Sequence, residues 1–201
     1  MGANIVVVVG IPGVGKTTVL SETVEKLTEK EGLKVQVVNF GDKMLEVALE
    51  EKLVEAGQKA RDQIRKLPAE TQRIVQRIAG EKIAKIAEES EGIVFVDTHV
   101  LIQTPYGYLT GLPVWVAEAI KPDILALIEA KPKEILSRRT QDLTRERDPD
   151  EDKKIVEHQE MNRWGAVCVA TLTGATVIMV ENKQEKVEEA SEKLIKLIKG
   201  D

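Results

Sequence analysis

The stretch GIPGVGKTT, Gly10 to Thr18, follows directly on the apolar run NIVVVV and leads into KTTVLSETVEKL. Gly10, Gly15, Lys16 and Thr17 satisfy G-x-x-x-x-G-K-[ST], with a further glycine at Gly13. A strand, a glycine loop and a helix in that order can fold in few ways, because the loop must present bare backbone to an anion. The glycines permit unusual backbone angles, successive amides turn toward phosphate oxygens, and the helix N-terminus adds a favourable field. The nucleotide-binding cradle therefore comprises Gly10, Ile11, Pro12, Gly13, Val14, Gly15, Lys16, Thr17 and Thr18. Lys16 is expected to reach the β and γ phosphates, and the Thr17 hydroxyl to ligate magnesium.

Five short apolar runs punctuate the chain: NIVVVV near 4–9, KVQVVNF near 34–40, GIVFVD near 92–97, DILALIEA near 123–130 and ATVIMVE near 175–181. Their length and β-branched content suit strands covered on both faces, and the amphipathic stretches between them read as helices. The alternation predicts an α/β fold with a mostly parallel sheet between helical layers. Gly32 and Gly92 mark helix ends before the second and third strands, and Pro68 and Pro132 suit first-turn positions. Asp148 as N-cap, with Pro149 first and Glu151 completing a capping-box-like pair, predicts a helix from residue 149. With 201 residues and no composition break, one domain over 1–201 is expected.

The lone Cys168 allows no intramolecular disulfide or cysteine zinc cage and reads as a small buried residue on a helix. A net charge of -5 argues against nonspecific nucleic-acid binding. No run approaches the roughly 18 apolar residues that cross a bilayer, and no signal peptide opens the chain, so a cytoplasmic protein with no membrane partner is expected.

Asp97 ends the third run, at the sheet edge where ligands bind, and is the candidate metal carboxylate, direct or through water. His99, a single histidine two residues on, reads as a polar loop contact. A guanine-nucleotide switch is disfavoured: DTHV follows Asp97 in place of D-x-x-G, and NKQE at 182–185 has glutamate where N-K-x-D needs aspartate, a chance match. Transfer to a small acceptor needs a second pocket and a cover that excludes water. SRRTQDLTRERD carries Arg138, Arg139, Arg145 and Arg147, and a helix would set Arg138, Asp142 and Arg145 on one face. Such guanidinium groups can neutralise a transferring phosphoryl group. NFGDKM and QTPYGYLTGLP supply shaped loops beside the first strand, with hydroxyls at Thr98, Thr104 and Tyr108, and Arg61 is a candidate for an acceptor phosphate. These residues leave open other P-loop kinases, acting on another nucleotide or a small alcohol, and an ATPase or regulatory ATP-binding module.

Taken together, GIPGVGKTT, NFGDKM, ARDQIRKLP, VDTH with TPYGYLTGLP, and RRTQDLTRERD with EHQEMNR resemble the archaeal type of adenylate kinase across essentially the whole chain. The resemblance implies reversible magnesium-dependent transfer between ATP and AMP giving two ADP, on a P-loop fold with five parallel strands in the order 2-3-1-4-5, and a cytoplasmic homotrimer. It assigns Asn39, Phe40, Gly41 and Asp42 to the AMP side, within a monophosphate-binding segment of about 39–68, and Arg61 and Thr98 are further candidates for contact with AMP. Lys16, Arg138, Arg145 and Arg147 are implied catalysts, the arginines in a short lid of about 138–150, and Thr17 and Asp97 the magnesium ligands. The bacterial type carries D-G-[FY]-P-R after strand three, and its arginine holds the AMP phosphate. DTHVLIQTP has none, which leaves Arg61 and Arg138 as candidates for that role. The long bacterial lid, in some cases with a four-cysteine zinc site, has no counterpart before Asp148, so no structural zinc is expected.

Overall fold

The computed structural model describes residues 3–57, 60–141 and 151–200. The chain runs β1 (Asn4–Val9), α1 (Lys16–Glu25, extended by one wider turn over Lys26–Lys30), β2 (Val35–Asn39), α2 (Phe40–Glu50), α3 (Ala60–Lys66) and α4 (Ala69–Glu89). It continues with β3 (Ile93–Asp97), β4 (Leu101–Thr104), β5 (Gly107–Thr110), α5 (Val114–Ile120) and β6 (Ile124–Glu129). The last elements are α6 (Pro132–Gln141), α7 (Glu151–Thr173), β7 (Thr176–Glu181) and α8 (Val187–Lys199).

All five apolar runs are strands of one parallel sheet ordered β2-β3-β1-β6-β7, which is 2-3-1-4-5 counted among its own strands. Alternation along each strand divides the core in two. Val7, Val9, Val94, Val96, Leu125 and Leu127 face α2, α4, α5 and part of α7. Val6, Val8, Phe95, Ala126 and Ile128 face α1, α6 and α8. A sheet covered on both faces has little use for polar residues, which is why β1 and β3 read as unbroken apolar runs. Gly32, with φ 65°, does end the helical segment before β2, whereas α4 ends at the extended C-cap Ser90 and Gly92 (φ 79°) stands two residues beyond it, where a Cβ would collide with the Lys34 carbonyl.

Several details depart from the sequence reading. The QTPYGYLTGLP stretch is not only a loop: β4 and β5 form an antiparallel ribbon, Leu101 opposite Thr110 and Thr104 opposite Gly107, separate from the main sheet. Pro68 stands one residue before α4, as its N-cap with ψ 143°, and gives its carbonyl to Gln72 N–H at 2.9 Å, whereas Pro132 does open α6. Cys168 is exposed, because it falls on the side of α7 turned away from the sheet. The capping residues Asp148 and Pro149 lie outside the described residues; the helix they would start is described from Glu151.

Phe95 is the bulkiest fully buried side chain at the sheet centre. Phe95→Ala is expected to cost roughly 3–5 kcal/mol, measured as a lowered urea midpoint with an unchanged slope.

Candidate active site

β1 lies between β3 and β6, so the chain leaves its C-terminal end at the point where the strand order reverses, and a crevice opens there. The Gly10–Thr18 loop, the start of α2, the residues after β3 and the N-terminal part of α4 meet around one cleft of about 920 Å³. The loop folds over a left-handed Gly13 (φ 92°) and Gly15 (φ 82°) before entering α1. At Gly10 a Cβ would stand 2.5 Å from the Ile128 carbonyl, so only glycine lets β1 and β6 stay in register here.

Lys16 is buried, forms an ion pair with Asp97 and donates from Nζ to the Thr98 carbonyl at 2.5 Å. Burial lowers the pKa of its ammonium, and the neighbouring Asp97 charge opposes that shift. Asn39 ties the second loop to this centre. Its Nδ2 donates to Asp97 Oδ2 at 2.9 Å, and its Oδ1 accepts from Asp42 N–H at 3.1 Å, capping α2. One side chain therefore couples the start of α2 to the carboxylate that holds the loop lysine.

Lys16, Thr17, Asn39, Asp97, Thr98 and Arg61 all line the cleft, together with Ile11, Pro12, Gly13, Gly15, Thr18 and the Phe40–Gly41 backbone. Gly10 and Val14 do not: Gly10 abuts Ile128, and the Val14 side chain is packed into the core. Asp42 also stays off the lining, its carboxylate held by the Arg61 guanidinium. Arg138 reaches the cleft, but its guanidinium is bound to the Val14 and Asn182 carbonyls, each at 3.0 Å. Arg145 and Arg147 lie outside the described residues. Of the later basic residues, Arg163 is spent on Glu129 in a bidentate pair away from the cleft lining.

Sequence reasoning missed Met44, Arg65, Gln72, Arg73, Gln76 and Trp115, which complete the wall opposite the glycine loop. A signal existed: Arg61 with Arg65, and Gln72 with Gln76, are four apart, so each pair shares a helix face. Among the described lining residues there are five cationic side chains, Lys16, Arg61, Arg65, Arg73 and Arg138, and one carboxylate, Asp97. A protein of net charge -5 thus presents a locally positive crevice, which draws in polyanions of high phosphate content.

His99 is more than a loop contact. Its Nδ1 donates to the Gly10 carbonyl at 2.7 Å, and burial, then the Lys16 charge and more weakly His158, lower its pKa to about 4 against the opposing pull of the Gly10 bond and Asp97. The imidazole is therefore neutral at pH 7.

Residues 9–156 match the family model described as an AAA domain. Over 197 residues the chain is 52% identical to the adenylate kinase of Methanopyrus kandleri, covering 98% of each. Over 199 residues it is 49% identical to the adenylate kinase of Methanocaldococcus jannaschii, covering 99% of this chain and 100% of that one. The crystal structure of thymidylate kinase from Ehrlichia chaffeensis superposes with a TM-score of 0.54 at 16% identity, over 98% of this chain and 100% of that one, a likeness of fold.

A histidine whose folded pKa is depressed contributes stability that is complete above its unfolded value near 6.5 and is lost as pH falls toward about 4. Chemical denaturation between pH 7 and pH 4 should show this acid-side loss, and His99→Asn should flatten it.

Proposed function

The chain belongs to the adenylate kinase family, and from that premise we propose that it moves the γ-phosphoryl group of magnesium-bound ATP reversibly to AMP, giving two ADP. It is a phosphotransferase of the nucleoside monophosphate kinase class. The observation that carries the reading is the shared cleft, in which the glycine loop and Lys16 face the start of α2, Arg61 and the N-terminal part of α4 across a positive crevice. One wall is built for the donor phosphates, and the segment of about 39–68 supplies the acceptor wall.

Lys16 would exchange its bond to Asp97 for the β and γ phosphate oxygens, and the loop amides would hold the phosphate chain in line with the acceptor. An acceptor phosphate is already an anionic nucleophile at neutral pH, so transfer needs no protein base. This agrees with the only cleft histidine among the described residues being neutral and bound to Gly10. Arg61 is the better candidate for the acceptor phosphate. It projects from α3 beside Gly41, whereas Arg138 is held on the donor side. The Arg61–Asp42 pair is about half exposed and therefore weak, so a dianionic phosphate can displace Asp42. Arg145 and Arg147 of the segment of about 138–150 are assigned to neutralising the phosphoryl group in transfer, and Arg138, whose guanidinium is held by the Val14 and Asn182 carbonyls, to holding the loop on the donor side.

Thr17 offers a hydroxyl oxygen and Asp97 a carboxylate within the cleft, a hard oxygen set that suits Mg²⁺, which keeps several waters and takes few protein ligands. Bound there with ATP, magnesium would offset charge on the β and γ phosphates. We propose further that the enzyme is a cytoplasmic homotrimer, as the same resemblance implies. In favour of assembly, α7 leaves Trp164, Val167 and Leu172 exposed, apolar area that a second copy would cover.

Purified protein with ATP, magnesium and each nucleoside monophosphate in turn should form ADP only when AMP is present, and phosphate release without an acceptor would refute the reading. Lys16→Ala should lower kcat by roughly a hundredfold or more while leaving the circular dichroism spectrum unchanged. Light scattering should give three chains per particle, reduced to single chains by Trp164→Glu.

A further inference from the structure

The glycine loop carries a pattern that its sequence motif does not contain. The Gly10 carbonyl accepts from His99 Nδ1 at 2.7 Å. The Pro12 carbonyl accepts from Arg139 Nη2 at 2.7 Å and from its Nε at 3.0 Å. The Val14 carbonyl accepts from Asn182 Nδ2 at 2.8 Å and from Arg138 Nη1 at 3.0 Å. Every second peptide of the loop is thus gripped through its oxygen, by residues that arrive from three separate parts of the chain.

In a trans peptide the C=O and the following N–H point in opposite directions, so fixing one fixes the other. The three gripped carbonyls belong to the peptides whose N–H groups are those of Ile11, Gly13 and Gly15. Of the other amides in that stretch, Pro12 has no hydrogen and Val14 N–H is spent on the Ile11 carbonyl at 3.4 Å. We infer that His99, Arg139 and the Asn182–Arg138 pair are positioning residues that aim the Ile11, Gly13 and Gly15 N–H groups at the donor phosphates. The inference rests on reading this loop as the donor-phosphate site.

Asn182 is the least replaceable of them. It is buried, its backbone N–H donates to the Glu129 carbonyl at 2.7 Å, and its own carbonyl accepts from Arg138 Nη2 at 3.0 Å. Its amide also lies where a Cβ on Gly15 would be, so Gly15 is required both by its φ of 82° and by this contact. Of the NKQE stretch only the first residue, Asn182, has this part: it braces the loop from the end of the edge strand β7. The braces are hydrogen bonds to backbone carbonyls, buried at Asn182 and partly buried at His99, and losing either of these two releases a peptide to rotate rather than removing a group that touches the nucleotide.

Tripolyphosphate, which has the phosphate chain and no base, isolates this effect. Calorimetric titration of magnesium tripolyphosphate into the 201-residue protein should show Asn182→Ala weakening binding roughly tenfold, the consequence of about one lost buried hydrogen bond. The KM for ATP should rise in step while the KM for AMP stays constant. His99→Leu should weaken tripolyphosphate binding similarly, and His99→Asn, which keeps a donor at the Nδ1 position, should restore it to within about twofold. A purely structural role would move thermal stability without this rescue or this split between substrates. Folded variants that bind tripolyphosphate like the parent would overturn the inference, and the His99 pair decides it if Asn182→Ala does not fold. Failure of the parent protein itself to bind tripolyphosphate would overturn the donor-site reading as well, and so separates the two failures.

Discussion

A loop that binds phosphate through its backbone must hold several peptide dipoles pointing into one small volume, where they repel one another. Everything around Gly10–Thr18 offsets that repulsion. The left-handed glycines make the turn sterically possible, and α1 completes it by continuing directly from Lys16. Each carbonyl turned outward by the arrangement, at Gly10, Pro12 and Val14, meets a side-chain donor. The ammonium of Lys16, which would add to the positive field, is balanced by Asp97. Buried donors and acceptors are costly to leave unmatched, so a nest of this kind requires partners fixed in advance.

Those partners can be fixed because the sheet is. β1 is central, and its neighbours β3 and β6 deliver Asp97, Thr98 and His99 on one side and α6 with Arg138 and Arg139 on the other. β7 then brings Asn182 beside β6, whose Glu129 carbonyl receives its N–H. Four strands therefore converge on a single loop. An error in register at any of them would misplace a brace by the length of a residue, far more than a hydrogen bond tolerates.

This also explains which parts were legible in the sequence. The strands and the loop were written locally, in apolar runs and glycine spacing, and their ends agree with the fold to within a residue or so. Asn182, Arg139 and His99 were not legible as loop braces, since nothing near them in sequence refers to Gly10, Pro12 or Val14; only the sheet order connects them. Arg138 shows the same limit in reverse. Its neighbours Arg145 and Arg147 suggest a lid, while its guanidinium in the fold is held by the loop and the β7 end. The β4–β5 ribbon escaped notice because its four-residue strands are half polar, and Tyr108 and Leu101 find their partners on α7, at Glu157, His158 and Asn162.

The two walls of the cleft differ in the kind of interaction that builds them. On the side proposed for the donor, the contacts are side-chain hydrogen bonds of 2.7–3.0 Å to the Gly10, Pro12 and Val14 carbonyls, which fix the loop peptides in advance. On the side proposed for the acceptor, α2 is linked to α3 by Arg61–Asp42 and to α4 by Lys82 with Glu46 and Glu50, ion pairs with substantial exposure. Exposed pairs contribute about 0–1 kcal/mol each and exchange readily for another anion. A braced wall at the glycine loop and an exchangeable one at α2 and α3 fit the order of demands in the proposed phosphoryl transfer. The leaving phosphate chain must not move, while the acceptor must be drawn in, desolvated and brought into line. The half-buried Asn39, bonded to Asp97 on one side and capping α2 on the other, is the joint between the two and ties the start of α2 directly to the carboxylate beside Lys16.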